Sequence, residues 1–134
     1  MVKPAPSWQA APLRGFTLIE LMVVMAIIAS LMTLALPRYF HSLDRSREAV
    51  LKQDLHIMRD AIDKFLADRG RYPGTLEELA EKRYLRKLPV DPITEKTTTW
   101  IVVAPPDGDG REGVYDVRSG AAGTSLDGDA FESW

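Results

Sequence analysis

The sequence predicts an α+β fold in which a long N-terminal helix, transmembrane in its first part, packs on a small antiparallel β-sheet beside a short second helix. Three observations predict this class. An apolar run of about 21 residues fills 16–36, enough to span a hydrocarbon core of roughly 30 Å. An amphipathic stretch follows, and two short segments rich in β-branched and aromatic residues come later in the chain.

The apolar run predicts a helix, because backbone polar groups inside lipid must find their hydrogen bonds within the same segment. Glu20 is the only ionisable residue in this run. A carboxylate at membrane depth is costly and is therefore a candidate functional residue. Pro37, directly after the run, cannot donate a backbone hydrogen bond and is expected to kink the helix.

Beyond Pro37 the apolar residues recur at steps of four and three, which places them on one helix face. They are Leu51, Leu55, Met58, Ile62 and Phe65. We expect this stripe to pack on the molecule's own sheet; a groove for a partner helix is the alternative. Gly70 is a helix stop signal. A helix from Phe16 to about Arg69 would be roughly 80 Å long, which suits a filament core or a stalk rising from a membrane.

A second, short helix is predicted after the turn at 71–74. Thr75 is followed three residues later by Glu78, which is the spacing of a capping box, and the helix should run to about Arg83. The segment 84–92 is rich in proline and is expected to cross the domain in an extended conformation.

Two strands are predicted at 97–104 and 113–118, separated by a turn rich in proline, glycine and aspartate. Two strands alone are marginally stable in water, so the sheet must pack against the apolar stripe of the long helix to be stable. The tail from Ser119 is rich in glycine, serine and aspartate. Phe131 and Trp134 are expected to hold this tail on the domain.

Composition excludes several classes of function. The chain has 17 basic and 19 acidic residues, which argues against nucleic acid as a partner. It has no cysteine, and this excludes a disulfide, a thiolate metal site and a cysteine nucleophile. No catalytic triad, phosphate-binding loop or dinucleotide-binding motif is present, so we predict that the protein is not an enzyme.

The motif Gly15-Phe16-Thr17-Leu18-Ile19-Glu20, with the apolar run behind it, resembles the class III signal of type IV pilin-like proteins. In that family a membrane prepilin peptidase cuts after the glycine and methylates the new N-terminal amine. The resemblance implies cleavage between Gly15 and Phe16, N-methylation of Phe16 and a role in assembly for Glu20. It also places Pro37 where the family often has a helix-bending proline.

The implied organisation is a leader peptide at 1–15, a transmembrane or filament-core segment at 16–36, and a periplasmic domain at 37–134 that includes the second half of the long helix. A plain N-terminal membrane anchor is the alternative for the apolar run. Loss of the leader would remove two basic residues and no acidic ones, so the mature chain would be more acidic than the precursor.

The middle of the chain resembles the G-type major pseudopilin of type II secretion systems. The matching residues are Tyr72, Pro73, Leu76, Leu79, Leu85, Pro89, Asp91 and Pro92. The resemblance implies a structural subunit of the bacterial inner membrane that crosses it once, with a periplasmic C-terminal domain, and that polymerises through its N-terminal helix into a periplasmic filament. The implied partners are prepilin peptidase, minor pseudopilins, an inner-membrane platform protein and an assembly ATPase.

The acidic tail is a candidate calcium site. Asp116, Asp127 and Asp129, with nearby backbone carbonyls, offer the hard oxygen ligands that Ca²⁺ prefers. G-type pseudopilins have a calcium loop in this region, and residues 119–123 resemble its start. The implied positions are Ser119, Ala122, Asp127 and Asp129, although Ala122 stands where the family commonly has an aspartate. A solvated acidic turn is the alternative.

Two other functions remain open at this point. A major or minor subunit of a type IV pilus belongs to the same class; the short domain and the sequence Leu-Pro-Val-Asp-Pro at 88–92 favour the pseudopilin. A membrane-anchored periplasmic binding module that does not polymerise belongs to a different class.

Overall fold

The computed structural model describes residues 1–7 and 10–134, which divide into two compact units, Met1–Tyr39 and Phe40–Trp134. The elements in chain order are the helices α1 (Leu18–Arg69) and α2 (Leu76–Glu81), the strands β1 (Trp100–Val103) and β2 (Asp116–Ser119), and a 3₁₀ turn (Phe131–Ser133). The two strands form one antiparallel sheet. The predicted α+β class is confirmed.

In the first unit, helix α1 begins where a side chain caps it. The Thr17 hydroxyl accepts a hydrogen bond from the Glu20 N–H at 3.2 Å, and this satisfies one of the free amides of the first turn. Downstream, the hydroxyls of Ser30 and Thr33 donate to backbone carbonyls four residues earlier in the same helix. The hydroxyl groups of Ser30 and Thr33 are thus satisfied within the helix, as a lipid environment would require.

Helix α1 is the one described helix that is long and apolar enough to cross a membrane, and no residue of its apolar stretch is buried inside the protein. The helix continues through Pro37 without a break in its assignment. The kink at Pro37 stays a prediction.

The second unit has its core on the predicted face of α1. All five residues of the predicted stripe are buried, and they form one cluster with Val114, Val117 and Trp100 from the sheet region. The prediction that the stripe packs on the molecule's own sheet is confirmed.

The predicted strands are too long at three of their four ends, whereas the second strand ends one residue later than predicted, at Ser119. Strand β1 pairs with β2 from Trp100 opposite Ser119 to Val103 opposite Asp116. β2 begins at Asp116 and not at Gly113, because the Val114 N–H donates to the Pro73 carbonyl at 2.8 Å and is lost to the ladder. A Cβ at Gly113 would come within 2.6 Å of that same carbonyl oxygen, so glycine is needed there.

Helix α2 starts as predicted and ends earlier than predicted. The Thr75 hydroxyl accepts from the Glu78 N–H at 3.3 Å, and the Glu78 carboxylate accepts from the Gly74 N–H at 2.7 Å. The helix stops at Glu81 because Arg83 adopts a left-handed conformation, with φ of 65°. This turns the chain, and the Tyr84 N–H donates back to the Leu79 carbonyl.

The tail is held on the domain by its aromatic residues, as expected. Phe131 is buried in the core cluster, and the Trp134 ring meets it edge-on with ring centroids 5.3 Å apart. The ammonium of Lys52 on α1 lies 4.3 Å from the centroid of the Trp134 ring, a cation–π contact.

Candidate functional site

The residue before the predicted cleavage point has no structural reason to be glycine. A Cβ built on Gly15 meets nothing within 4 Å among the described residues, and its backbone is not in the left-handed region. Gly15 and Phe16 both lie exposed ahead of α1, in a segment without regular secondary structure. The bond between them is therefore accessible, and a preference for glycine there has to come from outside the fold.

Glu20 lies in the first turn of α1 with its side chain exposed. Within residues 1–7 and 10–134, no hydrogen bond or ion pair engages its carboxylate, while its backbone N–H is capped by Thr17. Phe16 and Glu20 are four residues apart, so an amine at residue 16 could reach the carboxylate of the same chain if the helix extended back from its start at Leu18 to residue 16. The same carboxylate could equally accept an amine from another copy.

The surface around Glu20 is almost entirely apolar. The exposed large side chains of residues 16–36 are Phe16, Leu18, Ile19, Leu21, Met22, Val23, Val24, Met25, Ile27, Ile28, Leu31, Met32, Leu34 and Leu36. Soluble monomers rarely expose a continuous apolar surface of this extent. This surface therefore needs lipid or other protein chains to cover it.

The four predicted calcium positions differ in burial and in the side-chain ligands that they offer. The Ser119 hydroxyl is buried and already donates to Asp91 Oδ2 at 2.7 Å, and Ala122 offers no side-chain ligand. Asp127 and Asp129 are exposed. Across the described part of the chain, no group of three or more His, Asp or Glu side chains is placed to hold a metal ion. Calcium binding stays a prediction.

Residues 125–129 form a turn that is stabilised by two internal hydrogen bonds. The Ser125 N–H donates to the Asp129 carbonyl at 2.7 Å, and the Asp129 N–H donates to the Ser125 hydroxyl at 3.2 Å. The neighbouring Leu126 N–H donates to Glu48 Oε1 at 2.7 Å. Glu48 is buried on α1, so this bond ties the acidic tail to the long helix.

Asp91, which matched the pseudopilin motif, is a fully buried organising residue. Its Oδ1 accepts from the N–H groups of Ile93 and Thr94 at 2.8 and 3.2 Å, and its Oδ2 accepts from the Ser119 hydroxyl. A buried carboxylate is tolerated when its oxygens are hydrogen-bonded in this way. Asp91 therefore joins the proline-rich segment to the end of β2.

Sequence reasoning missed two functional contacts. The Thr17–Glu20 cap has the same Thr-x-x-Glu spacing as the cap at Thr75, so the signal was present in the sequence. Glu48 carried no signal, because a glutamate among charged residues on a helix is usually solvated and its partner is 78 residues away.

Comparison with known proteins identifies the family to which the chain belongs. Residues 14–36 match the model of the prokaryotic N-terminal methylation motif. The type II secretion system core protein G of Escherichia coli (strain K12) is 30% identical over 122 residues, which cover 79% of this chain and 79% of that protein. The chain belongs to the type II secretion system core protein G family.

Other relatives include a further core protein G and a type IV pilin. The core protein G of Pseudomonas aeruginosa is 37% identical over 94 residues, covering 58% of this chain and 66% of that protein, just under two thirds of its length. The type IV major pilin protein PilA of Myxococcus xanthus is 38% identical over 66 residues, covering 49% of this chain but only 30% of the pilin. No solved structure gives a significant match.

Proposed function

We propose that the protein is a structural subunit that is processed by prepilin peptidase and polymerises into the periplasmic filament of a type II protein secretion system. One observation carries the proposal: in a chain of the core protein G family, a methylation motif opens an apolar helix surface with a single unengaged carboxylate. Lipid can cover that surface before assembly, and copies of the same helix can cover it afterwards.

Processing at Gly15 would create the second half of an ion pair. Cleavage before Phe16 leaves a free amine at residue 16, which stays cationic when it carries one methyl group. In a low-dielectric layer, an amine and a carboxylate attract each other far more strongly than in water. If the Phe16 amine of an incoming copy met Glu20 of the last copy added, the pair would fix the register between neighbouring helices.

The location and partners follow from the same proposal. The apolar stretch of α1 would cross the bacterial inner membrane once and leave the C-terminal domain in the periplasm. Minor pseudopilins, an inner-membrane platform protein and an assembly ATPase would start and drive the filament. The match to core protein G spans 79% of both chains, whereas the match to PilA spans 30% of the pilin, and this favours secretion over a type IV pilus.

Replacing Glu20 by alanine tests the central step. We expect Glu20→Ala to insert into the membrane and to be processed normally, and to lose filament assembly altogether. Membrane fractionation and intact mass report insertion and processing, and chemical cross-linking in membranes reports a ladder of multimers. The matched control is Glu132→Ala, which removes an exposed tail carboxylate and should keep the ladder.

The outcomes separate the candidate functions. Normal filaments in Glu20→Ala would show that the assigned role of this carboxylate is wrong. Monomers alone in the unmodified chain would support the non-polymerising binding module. An intact mass whose N-terminus is not Phe16, or that lacks one added methyl group, would rule out the proposed processing.

A further inference from the structure

The second unit exposes an apolar stripe on α1 that its own core does not use. Leu43, Val50 and Ile57 are 37%, 49% and 41% exposed and are spaced seven residues apart. Seven residues are close to two helical turns, so the three side chains lie along one line on the helix. We call these three residues the helix stripe.

A separate exposed surface lies on the sheet face that points away from the core. Ile101 of β1 is 47% exposed, and because successive strand side chains alternate between faces, it lies on the face opposite to the buried Val117. Arg118 is exposed on β2 directly opposite Ile101 in the strand register, so the two side chains share this face. We call Ile101 and Arg118 the sheet patch.

The two surfaces carry opposite charges. Asp54 comes four residues after Val50 and three before Ile57, so it lies beside the helix stripe. Burial first, and then the negative charge of Asp91, raise the pKa of Asp54. Within the described residues, no ion pair or hydrogen bond engages Asp54, and no salt bridge engages Arg118.

We propose that the helix stripe of one copy packs against the sheet patch of a neighbouring copy, with Arg118 of that neighbour reaching Asp54. The inference rests on the proposed function, because it names the surfaces by which the C-terminal domains of a filament would meet. A second copy is the occupant that fits, since the same chain supplies both the apolar complement and the missing cation.

Symmetry favours two unlike surfaces over a self-paired one. A contact that pairs a surface with itself closes as a dimer and leaves nothing to extend. A contact between two different surfaces leaves one of each free at the ends and so builds an open helical filament. The helix stripe also belongs to α1, the helix whose apolar run would form the proposed filament core.

The absence of cysteine makes this contact directly testable. Two forms of the full chain, one with Val50→Cys and one with Ile101→Cys, are produced together in cells that carry the secretion machinery. We expect mild oxidation of their membranes to give a disulfide-linked dimer, seen on a non-reducing gel. Each variant produced alone should give none, and the double variant in one chain should give a ladder.

The matched control places the cysteine elsewhere on the same helix. His56→Cys is exposed but lies away from the helix stripe, so with Ile101→Cys it should link weakly or not at all. Charge reversal gives a second measurement in which the cysteines stay in place. Asp54→Lys or Arg118→Asp should each lower the yield of the dimer about two- to fivefold, the range for one exposed ion pair, and the two together should restore it.

Each outcome decides one claim. If Val50→Cys and Ile101→Cys do not link while the unmodified chain forms filaments, the contact is wrong and the proposed function stands. If Val50→Cys alone forms dimers, the helix stripe pairs with itself and the inference is overturned. If the unmodified chain forms no filaments with the machinery present, the proposed function fails and this inference falls with it.

Discussion

The two units of the molecule differ in the solvent exposure of the same residue type, leucine. Leu31 in the first unit is 62% exposed, whereas Leu55 in the second is 2% exposed, although both lie on α1. The first unit is apolar on every side of its helix, while the second alternates a buried face with charged ones. The first therefore depends on lipid or on other copies, whereas the buried face of the second is covered by its own sheet region.

This difference can be recognised from the sequence alone, because it lies in the periodicity of the apolar residues and not in the overall composition. A helix that is apolar all around must be covered all around, and a helix with one apolar stripe needs a single neighbour. The comparison also assigns roles: stability should reside in the second unit and assembly in the first. Substitutions of equal size in the two units should therefore have unequal effects.

Removing a leucine side chain should give the largest difference between the units. Leu55→Ala deletes fully buried methyl groups and leaves a cavity, so we expect it to lower the free energy of unfolding by about 2–5 kcal/mol. Leu31→Ala makes the same deletion on an exposed surface and should leave that free energy nearly unchanged. Denaturant unfolding of the full chain in detergent, followed by tryptophan fluorescence, measures both.

Assembly should show the reverse order. Leu31→Ala is expected to weaken the filament in membranes more than it weakens the fold. Equal losses of stability for Leu31→Ala and Leu55→Ala would mean that the first unit packs within the monomer, contrary to its exposure.

The sequence predicted local features of the second unit and missed most of those that depend on distant partners. The stripe from Leu51 to Phe65 and the cap at Thr75 were predicted from the spacing of residues in the sequence, and both are present in the structure. The start of β2 was missed, because the Val114 N–H is taken by a residue 41 positions earlier. Glu48 was missed for the same reason, since its partner lies in the tail.

The candidate assembly site depends on the sequence more than on the structure. Gly15, Phe16 and Glu20 are recognised by their order, and the structure adds that the bond is exposed and the carboxylate unengaged. No fold contact distinguishes these residues, because their proposed partners are a peptidase and other copies of the chain.

A second contrast is between two carboxylates, Glu20, which is exposed, and Asp91, which is fully buried. Asp91→Ala leaves the Ser119 hydroxyl and the Ile93 and Thr94 amides without their acceptor. We expect a loss of about 1–3 kcal/mol of unfolding free energy, while Glu20→Ala should cost almost none. Chemical denaturation of the full chain measures both. Ser119→Ala, which removes one of the three donors, should cost less than Asp91→Ala; an equal or larger cost would contradict this assignment.

A smaller effect on stability is expected for a carboxylate of α2, at the surface of the second unit. The Arg71 guanidinium, 2.7 Å from Glu78 Oε1, and the Gly74 N–H hold the pKa of Glu78 at about 2. A lowered pKa stabilises the fold above the ordinary value near 4.5, and this stabilisation is lost as the pH falls towards 2. Glu78→Gln should therefore lower Tm by less than about 4 °C at pH 7 and hardly at all near pH 2.

Thermal unfolding at several pH values checks this prediction. Glu77→Gln is the matched control: Glu77 is the neighbouring exposed acid, and it has no ion pair or hydrogen bond within the described residues. A Tm difference for Glu78→Gln that grows as the pH falls would show that the carboxylate is not held in its ionised form.

The smallest effect is predicted for calcium, at the other surface of the second unit. Asp127 and Asp129 are exposed, and within residues 1–7 and 10–134 no third carboxylate is grouped with them, so binding should be no tighter than about 10⁻⁴–10⁻³ M. At a Ca²⁺ concentration equal to such a Kd, a single ion would add roughly 0.4 kcal/mol to the free energy of unfolding. Calorimetry and thermal unfolding with Ca²⁺ should detect this stabilisation. The double variant Asp127→Ala with Asp129→Ala should abolish the response to Ca²⁺.

Asp107→Ala, in a separate acidic turn, is the control and should leave the response to Ca²⁺ intact. If the unmodified chain gives no heat and no Tm shift, the tail does not bind calcium.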